Sequence, residues 1–184
     1  THFGEQFDLE YKMLIGAFYV INAANYNCPD HMIEIIKQYR EKDYLIDSNY
    51  RAFYFAYDQI DDVSNCEELR DLVENMYTNE YLFKQLPKWT SAFAQDEGLE
   101  ILPLQRKFFN HYVRSSKVKL VVIISDALRY EAAEELYEKL NQDAKCTAKM
   151  DAMMSVLPSV TSFGMAALLP HKSFEITDNY KVLL

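Results

Sequence analysis

The chain of 184 residues is long enough for one domain of ordinary size, or for one small domain joined to part of another. Apolar residues make up 49% of it and charged residues 26%, which excludes a disordered or low-complexity chain. Only 4 glycines are present, too few for the tight hairpins of an all-β protein, so helices are expected. The net charge of −9 argues against binding duplex DNA with the whole surface.

A short basic stretch interrupts this acidic chain between residues 103 and 120. The stretch contains no acidic residue, and its cations are Arg106, Lys107, Arg114, Lys117 and Lys119. Two interpretations remain open for it. Such a stretch forms either a solvated helix face or a surface that contacts the phosphates of DNA.

Cysteine usage and hydropathy predict where the protein is found. Cys28, Cys66 and Cys146 are odd in number and widely spaced, which is typical of reduced thiols in a cytoplasmic protein. No apolar run approaches the roughly 18 residues of a membrane span, and no export signal begins the chain, so no membrane partner is expected. The chain opens without methionine and stops in an apolar run at 181–184, and we therefore expect an excised fragment.

Helical periodicity dominates the first 115 residues and predicts a helical bundle region there. Helices are expected at 7–24, 29–39, 48–60, 64–76, 79–94 and 103–114, with an interruption near Pro87. The apolar face expected for the first helix comprises Phe7, Tyr11, Leu14, Ile15, Phe18 and Ile21. Ser64 and Glu67 have the spacing of a capping box at the start of the fourth helix.

From residue 117 onward the pattern changes to that of an open α/β fold. The run 118–124 is continuously apolar and β-branched, as in a strand buried on both faces of a parallel sheet. A helix at 127–140, an extended run at 146–156, a helix at 162–169 and a strand from 181 follow. The predicted fold class is α/β, with a helical bundle over 1–115 and a truncated parallel α/β core over 117–184.

Two residues at the carboxyl ends of these strands can carry chemistry. Asp126 follows the first strand, where its carboxylate can bind a divalent metal or cap the next helix. Thr161 precedes the predicted helix at Ser162, where it can be either an N-cap or a metal-activated nucleophile. Ser159 is a competing hydroxyl, and Gly164 permits close approach of a substrate or backbone.

The strings VVIISDALRYE at 121–131 and LPSVTSFGMAALLPH at 157–171 resemble the opening motifs of the PglZ domain of the alkaline phosphatase superfamily. The similarity extends more loosely upstream through Trp89 and 105–109, where PglZ proteins of BREX phage-defence systems carry a helical region. The resemblance implies an alkaline-phosphatase-like core. It also implies a phosphatase or phosphodiesterase with a two-metal site, usually of zinc.

By motif position, the resemblance makes Asp126 a metal ligand and Thr161 both the nucleophile and a ligand. Arg129 lies one turn past Asp126, where it can bind a phosphate oxygen or pair with Glu131 or Glu134. The family takes further ligands from downstream, typically including an Asp-His pair. This sequence has only His2, His31, His111 and His171, and none follows an aspartate. We therefore expect half a site, no catalysis by the fragment alone and only weak zinc binding.

An alternative from another class is a non-catalytic scaffold or interaction module. It is favoured by a span with more aromatic residues than one helix face can bury, namely Tyr50, Phe53, Tyr54, Phe55 and Tyr57. The partners implied by the resemblance are a phosphate ester substrate and other BREX components such as the methyltransferase. Contact with DNA through the stretch 106–119 is a third interpretation.

Overall fold

A computed structural model describes residues 7–95, 102–173, 175–177 and 182–183. The chain divides into two compact units, Thr1–Glu97 and Gly98–Leu184. This division lies upstream of the 115/117 boundary predicted from the sequence. The reason is that residues 103–105 are hydrogen-bonded to Met154 and therefore pack with the second unit.

The regular elements described in the first unit are helical, as the sequence predicts. The helices are α1 (Asp8–Asn22), α2 (Met32–Gln38), α3 (Tyr44–Tyr57), α4 (Glu67–Asn75) and α5 (Phe83–Ala94). A 3₁₀ turn, Ala23–Asn25, follows α1. The π-helical segments Tyr39–Asp43 and Met76–Leu82 join α2 to α3 and α4 to α5. None of the helices in the described part of the chain has the length and apolar composition that a membrane crossing requires.

Three details of these helices differ from the sequence prediction. The helix predicted at 29–39 does not end there, because a π-helical segment continues it into α3. Ser64 does not cap α4, because its hydroxyl donates to Asp62 Oδ1 at 2.7 Å and Cys66 occupies the N-cap position. α5 continues through Pro87, so the interruption predicted there is not observed, although a proline inside a helix costs one backbone hydrogen bond.

The buried face of α1 is not the face that carries its largest apolar residues. Phe18 is 64% exposed, and Tyr11, Leu14 and Ile15 are exposed as well. The buried face contains the small residues Gly16 and Ala17, which allow α1 and α3 to approach closely. The buried residues of α1 are Met13, Gly16, Ala17 and Val20.

α1 and α3 are closely packed at Gly16. A Cβ atom at Gly16 would lie 2.8 Å from the carbonyl oxygen of Asn49 and 2.9 Å from the backbone nitrogen of Phe53. We expect Gly16→Ala to destabilise the protein by about 2 kcal/mol, because overpacking against backbone outweighs the gain of about 1 kcal/mol in helix propensity. Urea unfolding followed by circular dichroism measures the change.

The matched control for that substitution is Gly164→Ala. A Cβ atom at Gly164, also within a helix, would lie 3.5 Å from Gln105 Nε2, an ordinary contact distance. This variant is expected to unfold at or slightly above the urea concentration of the unchanged protein. A Gly16→Ala protein as stable as the Gly164→Ala protein would contradict close packing of α1 on α3.

The aromatic span at 50–57 packs within the first unit and leaves little of itself exposed. Phe53 is fully buried in the core, and Tyr54 and Tyr57 pack against that core. Tyr50 and Tyr54 donate hydrogen bonds to Glu74 Oε2 at 2.6 and 2.8 Å, which lowers the pKa of the Glu74 carboxyl. Phe55 alone in this span is an exposed large hydrophobic residue, so the excess of aromatics expected at a partner surface is not observed.

The second unit contains short helices and little sheet in the described residues. A 3₁₀ turn (Gln105–Lys107) and a π-helical segment (Phe109–Val113) replace the helix predicted at 103–114. The longer helices are α6 (Tyr130–Gln142) and α7 (Thr161–Leu168). The strands β1 (Glu175–Ile176) and β2 (Val182–Leu183) pair antiparallel, with Glu175 opposite Leu183. Lys181, where the last strand was predicted to begin, lies outside the described residues.

The run 118–124 differs most from its predicted structure, because it is not a buried strand. Ile123 is 88% exposed and Val121 is 77% exposed. A parallel strand needs neighbouring strands to complete its hydrogen bonds. Within the described ranges, the parallel pairing observed is an isolated bridge between Leu104 and Met154, so no neighbour is available to this run.

Candidate active site

Asp126 lies in a tight turn between the run 118–124 and α6. Its Oδ1 atom accepts a hydrogen bond from the backbone N–H of Ala127 at 3.0 Å. Ala127 has a φ of 53°, a left-handed conformation that costs a non-glycine residue about 1–2 kcal/mol. α6 begins only at Tyr130, with Arg129 at the N-cap, so Asp126 does not cap that helix. The capping alternative for Asp126 is therefore wrong.

Thr161 is the first residue of α7, one position earlier than predicted. Val160 occupies the N-cap position, so Thr161 is not the N-cap residue. The first N–H groups of a helix have no acceptor within the helix and form its positive end. The Thr161 hydroxyl therefore lies at a helix end that favours anionic groups.

The turn at Asp126 and the start of α7 bring the two predicted site residues together. The Thr161 hydroxyl donates to the Asp126 carboxylate, with Oγ1 at 3.4 Å from Oδ1 and 3.3 Å from Oδ2. The two residues are separated by 35 positions in the chain and both are exposed to solvent. A carboxylate and a hydroxyl thus share one accessible location, as the resemblance implies.

A cavity of about 400 Å³ surrounds this pair. The residues that line it include Ser125, Ser155 and Ser159, together with Gln105 and Gly164. The competing hydroxyl of Ser159 is therefore in the same cavity, but among the described residues Thr161 is the hydroxyl bonded to Asp126. A cavity of this volume lies in the range of small-molecule binding sites.

The other predicted site residue, Arg129, is at the N-cap of α6 and does not line the cavity. The described residues give it no ion pair with Glu131 or Glu134. Glu131 is buried, and the hydroxyl of Tyr130 donates to Glu134 Oε1 at 2.7 Å. Arg129 is therefore an exposed cation near the turn, and its role in binding substrate stays a prediction.

The oxygen atoms at this site are suitable metal ligands but do not form a complete set. Two oxygens 3.3 Å apart, from Asp126 and Thr161, can both reach one cation at metal–oxygen distances of about 2.0–2.2 Å. Structural and catalytic zinc sites take three or four protein ligands. The described residues contain no group of three or more His, Cys, Asp and Glu side chains placed to hold a metal.

The histidines do not complete the set in the described residues. The His171 Nδ1 atom lies 2.7 Å from the carbonyl oxygen of Leu169, and His111 packs edge-on against Tyr112. His2 lies outside the described residues.

Gln105 is a residue of the site that sequence reasoning did not single out. Its side chain lines the cavity and bonds two segments near Thr161. No local pattern marks it, because its partners lie 51 and 59 positions away in the chain.

Comparison with known proteins shows the family that this chain resembles. Residues 104–184, which include both members of the pair, match the family described as the BREX system PglZ alkaline phosphatase-like domain. The match begins at the residue that bridges to Met154. The resemblance predicted from the strings at 121–131 and 157–171 is therefore confirmed.

Two named relatives match most of the chain. In an alignment of 192 positions that covers 98% of the chain, it is 38% identical to the alkaline phosphatase-like protein PglZ of Bacillus cereus (strain H3081.97). In an alignment of 148 positions that covers 74% of the chain, it is 36% identical to the alkaline phosphatase-like protein BrxZ of Escherichia coli O9:H4 (strain HS). The chain spans only 22% and 17% of the lengths of these relatives. No solved structure gives a significant match.

Proposed function

We propose that this chain carries part of the active site of a metal-dependent phosphoester hydrolase that acts in a BREX phage-defence system. The observation that carries the proposal is the contact between the Thr161 hydroxyl and both carboxylate oxygens of Asp126. The contact lies in a cavity at a helix N-terminus, within the residues matched to the PglZ domain. In this proposal Asp126 is a metal ligand, and Thr161 is both a ligand and the nucleophile.

The proposed reaction begins at the Thr161 hydroxyl. The threonine oxygen bonds to phosphorus while the bond to the ester oxygen breaks, and the alcohol leaves. The intermediate is phosphothreonine when the substrate is a monoester, and a threonine phosphodiester that retains the second alcohol when the substrate is a diester. Water then hydrolyses its bond to threonine, which restores the Thr161 hydroxyl and releases phosphate from a monoester or a phosphomonoester from a diester. The N–H groups that begin α7 donate hydrogen bonds to the phosphoryl oxygens.

This chemistry needs a divalent cation, for which we propose zinc. When bound, the cation would lower the pKa of the Thr161 hydroxyl and neutralise charge on the phosphoryl oxygens. Asp126 and Thr161 hold it through their oxygen atoms. Because they are two ligands of a set that needs at least three, we infer that the isolated chain binds zinc weakly and is inactive. Arg129 contributes a guanidinium group that binds a phosphate oxygen of the substrate.

The proposed fold of this region is an alkaline-phosphatase-like parallel α/β core. The exposed apolar run 118–124 supports it, because such a run is stable only when neighbouring strands cover it. Asp126 at the carboxyl end of this run then lies where open parallel sheets bind ligands.

The second candidate function, a scaffold or interaction module, is supported by a different surface from the one predicted. The span 50–57 is packed internally, but α1 exposes an apolar face. This face comprises Tyr11, Leu14, Ile15 and Phe18. Its proposed partners are other BREX components such as the methyltransferase. Contact with DNA through the exposed basic residues at 106–119 and a cytoplasmic location stay predictions.

One assay on the full-length protein that contains this chain separates the two functions. We expect hydrolysis of a chromogenic phosphomonoester or phosphodiester in zinc or manganese, loss of activity after dialysis against a chelator, and recovery when the metal is returned. The preferred ester distinguishes a phosphatase from a phosphodiesterase. A folded, metal-loaded protein that hydrolyses neither ester would contradict the hydrolase and favour the scaffold.

A further inference from the structure

Gln105 bonds with both ends of its side-chain amide to segments on either side of Thr161. Its Oε1 atom accepts a hydrogen bond from the backbone N–H of Val156 at 3.0 Å. Its Nε2 atom donates to the carbonyl oxygen of Gly164 at 3.3 Å. Val156 precedes Thr161 in the chain and Gly164 follows it within α7, so one side chain fixes both sides of the proposed nucleophile.

The backbone of the same region anchors Gln105. Its own N–H donates to the carbonyl oxygen of Met154 at 2.9 Å, and the N–H of Met154 donates to the carbonyl oxygen of Pro103 at 2.8 Å. These bonds form the parallel bridge between Leu104 and Met154. The Gln105 side chain continues this bridge two residues further along the same segment, to Val156. The backbone of Gln105 is therefore held in place, and its side-chain amide ties Val156 and α7 to that position.

The half-buried setting of Gln105 makes these bonds effective. The residue lines the cavity that contains Asp126 and Thr161, and it is only partly exposed to water. A backbone N–H or carbonyl left without its partner in such a place loses a hydrogen bond that water replaces only in part. Residues 155–160, which contribute Ser155, Val156, Ser159 and Val160 to the cavity wall, belong to no helix or strand.

We propose that Gln105 is the positioning residue for Thr161, which orients the start of α7 toward Asp126 by tying Val156 and Gly164 to the segment at 103–105. This inference rests on the proposed function. Gln105 acts through backbone groups, so removing its amide displaces the Thr161 hydroxyl without removing any reacting group. Errors of about 1 Å in such placement reduce turnover by about 100-fold.

Two substitutions separate the two bonds. Gln105→Met keeps the length of the side chain and removes both the acceptor and the donor. Gln105→Glu keeps the acceptor for the Val156 N–H but places a carboxylate against the Gly164 carbonyl, so only the bond to α7 is lost. Gln95→Met is the matched control, because Gln95 is exposed after α5 in the first unit.

The test measures ester hydrolysis and amide hydrogen exchange on the full-length protein and these variants. We expect Gln105→Met to lower kcat by about 10- to 100-fold with KM within about twofold, the range for supporting residues of a site. Exchange at Val156 and across 161–168 is expected to accelerate. In Gln105→Glu, the amide of Val156 is expected to exchange as slowly as in the unchanged protein, while the amides of α7 exchange faster. Its kcat is expected to lie between those of the unchanged protein and Gln105→Met. Gln95→Met is expected to change neither quantity.

These outcomes test two claims separately: that Gln105 makes the contacts described, and that these contacts position Thr161. Unchanged exchange at Val156 in Gln105→Met would overturn the contact, and accelerated exchange with unchanged kcat would overturn the positioning role. If the unchanged protein hydrolyses no ester, the proposed function and the catalytic part of this inference both fail, while exchange still reports on the contact. If Gln105→Met does not fold, Gln105→Glu carries the test through its separate effects on Val156 and α7.

Discussion

Thr161→Ala in the full-length protein is expected to lower kcat for phosphoester hydrolysis by about a thousandfold or more. The substitution removes the protein oxygen that we propose bonds to phosphorus, and loss of a covalent nucleophile has effects of at least this size. Steady-state kinetics on the preferred chromogenic ester, with the metal in excess, measures the change. Thr161→Ser keeps a hydroxyl at the start of α7 and is expected to retain measurable turnover.

The control for this prediction is Ser159→Ala. Ser159 lines the same cavity and offers the competing hydroxyl, but within the described residues it is not the group bonded to Asp126. Its loss is expected to change kcat by less than about tenfold, because it makes no bond to phosphorus. Full activity in Thr161→Ala together with loss of activity in Ser159→Ala would move the nucleophile to Ser159.

Asp126→Asn is expected to produce the second largest effect, a loss of both bound metal and activity. The amide keeps the shape of the side chain but loses the negative charge that attracts a cation, and loss of a metal ligand weakens binding strongly. We expect kcat/KM to fall by about a hundredfold or more at limiting zinc. Elemental analysis of the gel-filtered protein measures the zinc that remains bound.

Asp151→Asn is the matched control for charge and local geometry. Asp151 Oδ1 accepts the backbone N–H of the next residue at 2.8 Å, as Asp126 Oδ1 does at 3.0 Å. Removing its charge is expected to leave metal content and kcat/KM unchanged. Equal metal content in Asp126→Asn and the unchanged protein would show that Asp126 stabilises the turn and does not bind the metal.

The closeness of Asp126 and Thr161 could be predicted from the sequence because it depends on connectivity. A polar residue at the end of an apolar run and a hydroxyl before a short helix both point to a common ligand crevice, and the two motif strings make the pairing specific. The helices of the first unit are predictable for a similar reason, since helical periodicity is a local property. The buried face of each helix is not predictable in this way. Gly16 and Ala17 are buried because α3 packs against them, and no local sequence pattern indicates that contact.

The parts of the site that could not be predicted depend on contacts between residues far apart in the sequence. The run 118–124 has the composition of a buried strand, but a strand exists only where neighbours complete its hydrogen bonds, and the described residues supply none. Gln105 has no distinguishing feature in the sequence, because its hydrogen bonds to Val156 and Gly164 form only in the folded protein. Val160 holds the N-cap position of α7 without a capping side chain, so the usual sequence signal placed the start of this helix one residue late.

The most direct test of the central claim is to acid-quench the full-length protein during turnover of its preferred ester and map phosphorylated residues by peptide mass spectrometry. We predict one phosphoryl group on Thr161, still carrying the retained alcohol when the preferred ester is a diester, which appears with substrate and metal and is absent from Thr161→Ala. A phosphoryl group on Ser159 in place of Thr161, in a Thr161→Ala protein that still hydrolyses the ester, would contradict the assignment of Thr161 as the nucleophile.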